Sequence, residues 1–103
     1  MRRGSILHYT VGSHRLRVVV VTADRYNPAH GLLAPLRERA APGLTPAFLV
    51  PLNRQDWPTA AVIDLSRVRS LDPAAVAGPA GQLTPATLRT LTTAIRTYLG
   101  AGD

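Results

Sequence analysis

Four consecutive valines at residues 18–21 dominate the pattern of hydrophobic and polar positions along the chain. Neighbouring side chains of a strand point to opposite faces, so an unbroken apolar run fits a strand that is buried on both sides. Valine also favours extended backbone because its side chain branches at Cβ. The pattern predicts a central strand over residues 15–22, which is entered through Arg15 and Arg17 and left through the polar turn Thr22-Ala23-Asp24.

Shorter alternating or apolar segments bounded by turn residues predict the remaining strands. These strands cover residues 5–11, 31–36, 47–51 and 59–65, with a further extended piece at 67–71. The segments between them predict a turn over Gly12 and Ser13, a turn or single helical turn at 24–28, an exposed loop at 37–46, and a turn at 52–58. Residues 76–83 are too rich in glycine and proline to predict an element.

The C-terminal segment carries the clearest helical signal. Thr84 is a good N-cap, Pro85 fits the first helical position, and Gly100 is a typical stop. Between them apolar residues recur at helical spacing, at positions 88, 91, 95, 98 and 99. Asp72 and Pro73 predict a shorter helical turn at 72–76 by the same logic. Several short strands followed by one terminal helix predict a mainly β fold of the α+β class, a small, strongly curved, antiparallel barrel with the helix packed on it.

Length and composition narrow the classes of function. The 103 residues are enough for one domain, 1–103, and the absence of cysteine excludes thiol chemistry, disulfides and cysteine-based zinc sites. No spacing of His, Asp and Glu indicates a metal site. Neither a membrane-length apolar run nor a signal-peptide core is present. We therefore expect a cytoplasmic protein without a membrane partner.

The charge of the chain indicates an acidic partner. The net charge is +6, and all twelve basic residues are arginine. Arginine binds phosphate with two parallel hydrogen bonds and stacks on bases, so the expected partner is a nucleic acid or an acidic protein. A GC-rich genome would account for the absence of lysine, but it leaves the excess of positive over negative charge unexplained.

Five blocks of the sequence, taken in order, carry a resemblance to a known family. They are Arg3-Gly4 before the first strand, the valine run followed by Thr22, Asp24, Tyr26 and Asn27, Ala34-Pro35-Leu36, Val68-Arg69-Ser70-Leu71-Asp72, and the helical pattern from Gly81 to Gly100. In this order they resemble the MazF/PemK toxins of bacterial toxin–antitoxin pairs and, more distantly, the CcdB toxins of the same fold. The resemblance implies a homodimer with an SH3-like barrel in each subunit.

The resemblance implies a MazF-like endoribonuclease toxin as the first hypothesis, with two alternatives that the sequence leaves open. MazF-like members are metal-independent endoribonucleases without a cofactor. In them the ribose 2′-hydroxyl attacks the adjacent phosphate of single-stranded RNA at short sequences, and an acidic MazE-like antitoxin blocks the RNA groove. CcdB-like members bind DNA gyrase through the C-terminal helix and have no nuclease chemistry. A degenerate toxin fold would retain only binding to its antitoxin or to nucleic acid.

MazF-like members carry a catalytic arginine at the entrance of the central strand, and residues 12–15 resemble that motif. A gap inside the strand gives this role to Arg15, whereas without a gap the position falls on Leu16, with Arg17 beside it. Arg15 and Arg17 share one face of the strand, and a bulge would bring either to the groove. His14 adds a side chain of a type that titrates near neutral pH. Arg15, Arg17 and His14 are the candidate catalytic residues, and solvated arginines at a strand end are the alternative.

A second family motif is altered in this sequence. The Thr or Ser expected after residues 34–36 is Arg37, which can hold a phosphate but supplies no hydroxyl. The carboxylate of some members falls on Ser66, with Asp64 two residues earlier on the same strand face. Trp57 is a candidate for stacking on a base, and a core or dimer-interface role also fits it. The candidate RNA-binding residues are Arg37, Arg39, Arg54, Asp64, Ser66 and Arg69.

Overall fold

The structure, a computed structural model, describes residues 2–26, 29–38 and 48–98. The strands within these residues are β1 (Ser5–Val11), β2 (His14–Val20), β3 (Leu32–Glu38), β4 (Leu49–Pro51), β5 (Ala61–Asp64), β6 (Arg69–Ser70) and β7 (Val76–Gln82). Short 3-10 helices span Asp24–Tyr26, Leu65–Arg67 and Pro73–Ala75, and the α-helix α1 spans Pro85–Tyr98. The predicted mainly β fold with a terminal helix is confirmed.

The strands form an antiparallel sheet in the order β4-β5-β3-β2-β1-β7, with β6 paired to β3. A two-residue turn, Gly12-Ser13, links β1 to β2, because Val11 pairs directly with His14. Gly12 has φ 59° in this turn, a left-handed conformation that suits a residue without Cβ. Among the described strands no pairing joins β4 to β7, so the path of the sheet is open.

The valine half of the middle strand β2 is buried on both sides, as the valine run predicts, whereas the first residues of the strand are exposed near the hairpin tip. One core cluster contains Val19 and Val21, and a second contains Val18 and Val20. We call the side toward which Val19 points face 1, and the side toward which Val18 points face 2. The helix α1 covers the first cluster through the fully buried Leu91. Burial of each aliphatic side chain stabilises the fold by roughly 1.5–3 kcal/mol. The two clusters therefore stabilise the packing on both faces of β2.

A buried carboxylate fixes the beginning of α1. Asp56 is 6% exposed, and it accepts hydrogen bonds from the amide of Thr84 at 2.6 Å and the hydroxyl of Thr87 at 2.5 Å. It also accepts from the amide of Asn53 at 2.9 Å within its own turn. Burial alone would raise the pKa of Asp56, but these hydrogen bonds outweigh it and hold the pKa below its ordinary value. Asp56 therefore ties the turn that carries Trp57 to the helix, beside the predicted N-cap Thr84.

Two segments differ from the sequence prediction. The loop predicted at 37–46 is wrong at its start, because β3 continues through Arg37 and Glu38, which pair with β5. The glycine- and proline-rich residues without a prediction form β7, an edge strand paired with β1. The pairing of β7 with β1 shifts register twice, between Ile6 and Leu7 and between His8 and Tyr9 of β1. Gly78 of β7 has φ 138°. An edge position tolerates proline and such irregularity, since one side of the strand needs no partner.

The other predicted strands and the turn capped by Asp72 are present, with bounds that differ by a few residues. Most of the loop predicted at 37–46, including Arg39, lies outside the described residues, as does the predicted stop Gly100. Within the described ranges, the structure has no helix of the length and apolar character that a membrane crossing requires.

Candidate functional site

The register of β2 decides where the candidate catalytic residues point. Its pairing with β1 runs without a shift from His14 to Val19, and the register shifts of β1 lie on its other side, toward β7. The bulge considered from the sequence is therefore not found in this described pair of strands. Without it, strand parity sends both Arg15 and Arg17 to face 1, the side of Val19.

On face 1, Arg17 covers the indole of Trp57. The guanidinium carbon lies 5.2 Å from the ring centroid, within the range of a cation–π contact. Trp57 is half-buried against the first core cluster, and a Cβ added at Gly81 would lie 3.8 Å from its ring. Trp57 is therefore an anchor at the edge of the core with a charged cover. A base could stack on its covered side only by displacing Arg17.

Face 2 carries a different set of polar side chains. His14 lies on this side because side chains alternate along β2. The pairing of β2 with β3 places Arg37 on the same side, and the pairing of β3 with β5 adds Asp64. In β6, Arg69 pairs with Leu33, which belongs to the second core cluster. Parity thus separates the two β2 arginines from these four candidates.

A buried carboxylate is the centre of the polar group on face 2. Asp64 is fully buried, and its Oδ1 accepts hydrogen bonds from the amide of Ser66 at 3.0 Å and from its hydroxyl at 2.5 Å. Its Oδ2 accepts from Nη1 of Arg37 at 2.8 Å and lies 3.6 Å from Nε of Arg67. Asp64 is also the N-cap of the 3-10 helix Leu65–Arg67, which sets the backbone of Ser66 and Arg67. We call these four side chains the Asp64 cluster.

The Asp64 carboxylate is held in its charged form. Burial alone would raise its pKa, but the hydrogen bonds from Ser66 and Arg37 outweigh that effect and hold the pKa of Asp64 below its ordinary value. Both arginine side chains remain more than half exposed, 55% for Arg37 and 67% for Arg67. The cluster therefore buries one negative charge beneath two positive charges that face solvent.

Comparison with known proteins identifies the family of this chain. The sequence profile of the PemK-like, MazF-like toxins of type II toxin–antitoxin systems matches residues 2–99. The chain belongs to this toxin family. The resemblance found in the sequence is thereby confirmed. No curated protein sequence matches the chain.

Solved structures share the fold of this toxin at low sequence identity. An endoribonuclease from a mycobacterial species, in complex with its cognate antitoxin, superimposes with a TM-score of 0.84 at 20% identity, over 98% of this chain and 96% of its own. The Mycobacterium tuberculosis toxin MazF-mt6 gives 0.76 at 17% identity, over 93% and 96%. MazF from Deinococcus radiodurans gives 0.73 at 19% identity, over 97% and 96%. At this identity the likeness shows the fold.

The remaining candidate residues of the toxin are dispersed. His14 and Arg15 are exposed near the tip of the β1–β2 hairpin, and Arg54 is exposed in the turn before Trp57. Arg39 lies outside the described residues. In the part of the chain that the structure describes, no three His, Asp or Glu side chains are grouped closely enough to hold a metal ion.

Arg67, which contacts the buried carboxylate, is not among the residues predicted from the sequence. The available signal was local: an aspartate at a strand end, followed two residues later by serine, is typical of a side chain that caps the next turn. A 3-10 helix has about three residues per turn, so the residue three positions after the capping residue lies above it. Applied to Asp64, this rule selects Arg67.

Proposed function

We propose that this toxin is a metal-independent endoribonuclease that cleaves single-stranded RNA at short sequences. The observation that carries the proposal is the exposed group His14, Arg15 and Arg17 at the entrance of β2, in a chain of the PemK/MazF family. Structural relatives named as endoribonucleases support it. The supported chemistry is charge stabilisation by guanidinium groups, with an imidazole at the neighbouring position of the hairpin tip, on the other face of the strand.

In the proposed reaction the ribose 2′-oxygen forms a bond to the adjacent phosphorus, and the bond from phosphorus to the 5′-oxygen breaks. The 2′-hydroxyl loses a proton and the 5′-oxygen gains one, so the products carry a 2′,3′-cyclic phosphate and a 5′-hydroxyl. Arg15 and Arg17 stabilise the negative charge that develops on the phosphorane. Because a guanidinium stays protonated, we assign the proton transfer to His14.

The proposed RNA contacts lie on both sides of the sheet. Because neighbouring side chains alternate, His14 and Arg15 point to opposite faces at the tip of the hairpin, and an RNA strand that crosses the tip can contact both. The proposed RNA-binding residues are Arg37, Arg39, Arg54 and Arg69, which contact the RNA directly, together with Asp64 and Ser66. Asp64 is fully buried and Ser66 donates two hydrogen bonds to it, so these two residues act through the arginines that the carboxylate holds.

We further propose that the toxin is a homodimer that an acidic antitoxin neutralises. A net charge of +6 attracts an acidic segment, and one structural relative is a complex with its cognate antitoxin. Inhibition of DNA gyrase, the alternative from the sequence, is not favoured, since the family match and the relatives are MazF-like.

The test is incubation of a long RNA with the purified toxin in EDTA, followed by mapping of the cut ends. We expect cuts within one short sequence, with a cyclic phosphate on one product and a 5′-hydroxyl on the other. The double variant Arg15→Ala/Arg17→Ala should cut about 100-fold more slowly, the loss typical of removing a stabilising donor. The control Arg89→Ala/Arg96→Ala removes two exposed charges from α1 and should cut at nearly the wild-type rate.

Two results would contradict this proposal. Full activity in the double β2 variant would remove the proposed catalytic site. RNA left intact by the wild-type toxin would remove the nuclease function, and inhibition of supercoiling by the same preparation would then favour the gyrase alternative.

A further inference from the structure

We propose that Arg37 and Arg67 together bind one phosphate of the RNA backbone, and that Asp64 is the residue that positions them. This inference rests on the proposed function. It goes beyond it by adding a binding residue, Arg67, and by giving the buried carboxylate a role.

Each guanidinium of the Asp64 cluster has donors left over after its contact with the carboxylate. A guanidinium carries five N–H donors. Arg37 contacts Asp64 through Nη1 at 2.8 Å, and Arg67 approaches through Nε at 3.6 Å. Their side chains show no further hydrogen bond to the described residues. As far as the described residues go, most donors of both groups are therefore available to a ligand.

The charge of the cluster matches a phosphodiester. Two guanidinium groups and one carboxylate leave a net charge of +1, and a phosphodiester carries one negative charge. The carboxylate is fully buried while both arginine side chains are more than half exposed, so the positive groups lie between Asp64 and solvent. A simple surface ion pair would be neutral and would offer an anion no net attraction.

Asp64 reduces the cost of holding two long side chains in one place. Arginine loses substantial rotamer freedom when it is immobilised by a ligand. Here the carboxylate is itself fixed by two hydrogen bonds from Ser66, and it holds Arg37 from β3 and Arg67 from the following 3-10 helix. Part of the ordering has therefore occurred before the ligand arrives, which favours binding.

The position of the cluster favours RNA over an acidic protein segment. Arg37 and Asp64 lie on face 2, the side on which His14 also lies. Guanidinium groups form paired hydrogen bonds with phosphate and with carboxylate oxygens alike, so the observation that favours RNA is the side of the sheet shared with His14. A phosphate held here is on the same side of the sheet as the proposed proton-transfer group.

The first test measures binding of a single-stranded oligonucleotide with 2′-O-methyl riboses, which the toxin cannot cleave, by fluorescence anisotropy at several salt concentrations. Arg67→Ala should weaken binding about tenfold and should reduce the slope of log K against log salt by about 0.7, the value of one phosphate contact on a single strand. Arg67→Lys should recover part of the affinity. Arg89→Ala, an exposed arginine of α1, is the matched control and should change neither quantity.

The second test uses the sign of a charge change. Asp64→Asn removes a negative charge from the protein. The electrostatic attraction between the protein and the oligonucleotide, taken alone, therefore predicts tighter binding. Positioning predicts the opposite, a loss of about threefold or more, because both arginines are released. Ser66→Ala removes one hydrogen bond to the carboxylate and should weaken binding in the same direction but less. Circular dichroism confirms that each variant is folded, and Ser66→Ala decides the question if Asp64→Asn is not.

Unchanged affinity and salt slope in Arg67→Ala would overturn the phosphate site. Equal or tighter binding in folded Asp64→Asn, or in Ser66→Ala if Asp64→Asn does not fold, would overturn the positioning role. A loss of affinity for an acidic peptide alone, with oligonucleotide binding intact, would assign the cluster to a protein partner and would also overturn the proposal. Cleavage is scored separately: a wild-type toxin that binds through Arg67 but does not cut refutes the proposed function and leaves this site standing.

Discussion

Replacing Asp56 by asparagine tests how the fold holds the beginning of α1. The carboxylate accepts hydrogen bonds from the amides of Asn53 and Thr84 and from the hydroxyl of Thr87. Asparagine has nearly the same shape, but it offers one acceptor oxygen and one NH₂ donor group. At least one of the buried donors would therefore face another donor.

The expected loss follows from these contacts. A hydrogen bond to a charged group contributes about 1.5–3 kcal/mol, and a buried donor left without a partner costs about 1–3 kcal/mol. Loss of the charge at the N-terminus of α1 adds about 0.3–1 kcal/mol. We expect Asp56→Asn to lower the free energy of unfolding by about 3 kcal/mol, which lowers Tm by roughly 12–24 °C in a domain of this size.

The assay is urea unfolding followed by circular dichroism at one protein concentration, between pH 7 and pH 3. The pKa of Asp56 is lowered from 3.8, so its stabilisation is present above the unfolded-state pKa and is lost as the pH falls through the folded-state pKa. The difference between wild type and variant should therefore shrink on acidification. Asp72→Asn is the control, because Asp72 is exposed and caps only the 3-10 helix Pro73–Ala75, and it should cost about 1 kcal/mol or less.

Two outcomes would refute this reasoning. One is a loss in Asp56→Asn no larger than that in Asp72→Asn, which would show that the buried hydrogen bonds contribute little. The other is a difference that stays constant down to pH 3, which would show that the stabilisation does not depend on the charge of Asp56.

Two further substitutions test the packing around the sheet. Gly4→Ala should lower the free energy of unfolding by about 1–3 kcal/mol in the same assay, because Gly4 has φ 87° and a Cβ there would lie 2.6 Å from Cδ2 of Leu88; wild-type stability would contradict the close approach. Arg17→Ala should shift the fluorescence of Trp57, the single tryptophan, and cost at most about 1 kcal/mol, whereas Arg15→Ala should leave the emission unchanged. Equal spectra for the two variants would exclude the Arg17–Trp57 contact in solution.

The elements with a strong local signal could be predicted from the sequence. The valine run specifies a strand through β-branching and through burial on both faces, and neither depends on knowing its neighbours. The helix α1 begins at Pro85, directly after the capping residue Thr84, and the preferences of both residues for these positions are also local. Both predictions agree with the structure.

The elements that depend on distant partners were not predictable. Arg37 and Glu38 look like loop residues, and they form a strand because β5 supplies the other half of the ladder. The segment that becomes β7 contains Gly78 and Pro79, which depress strand propensity. It is extended because β1 offers a free edge, which the sequence of the segment itself does not encode.

The candidate site divides in the same way. That Arg15 and Arg17 share a face follows from strand parity alone, and the register of β1 and β2 agrees with it. The placement of Arg37 and Asp64 on the opposite face can be deduced only from the registers of two further strand pairs, β2 with β3 and β3 with β5. These registers depend on connections outside either strand. Sequence reasoning could therefore name most of the site residues but could not sort them by face.

The Asp64 cluster limits which groups on face 2 can move a proton. Arg37 stands where the family resemblance expects a Thr or Ser, and its guanidinium stays charged at neutral pH. Asp64 has a pKa below its ordinary value, and accepting a proton would weaken its contacts to Arg37 and Ser66, so it is a poor general base. The cluster is therefore suited to holding a phosphate rather than to acid–base chemistry. His14, on the same face of the sheet, carries the imidazole to which we assign the proton transfer in the proposed reaction.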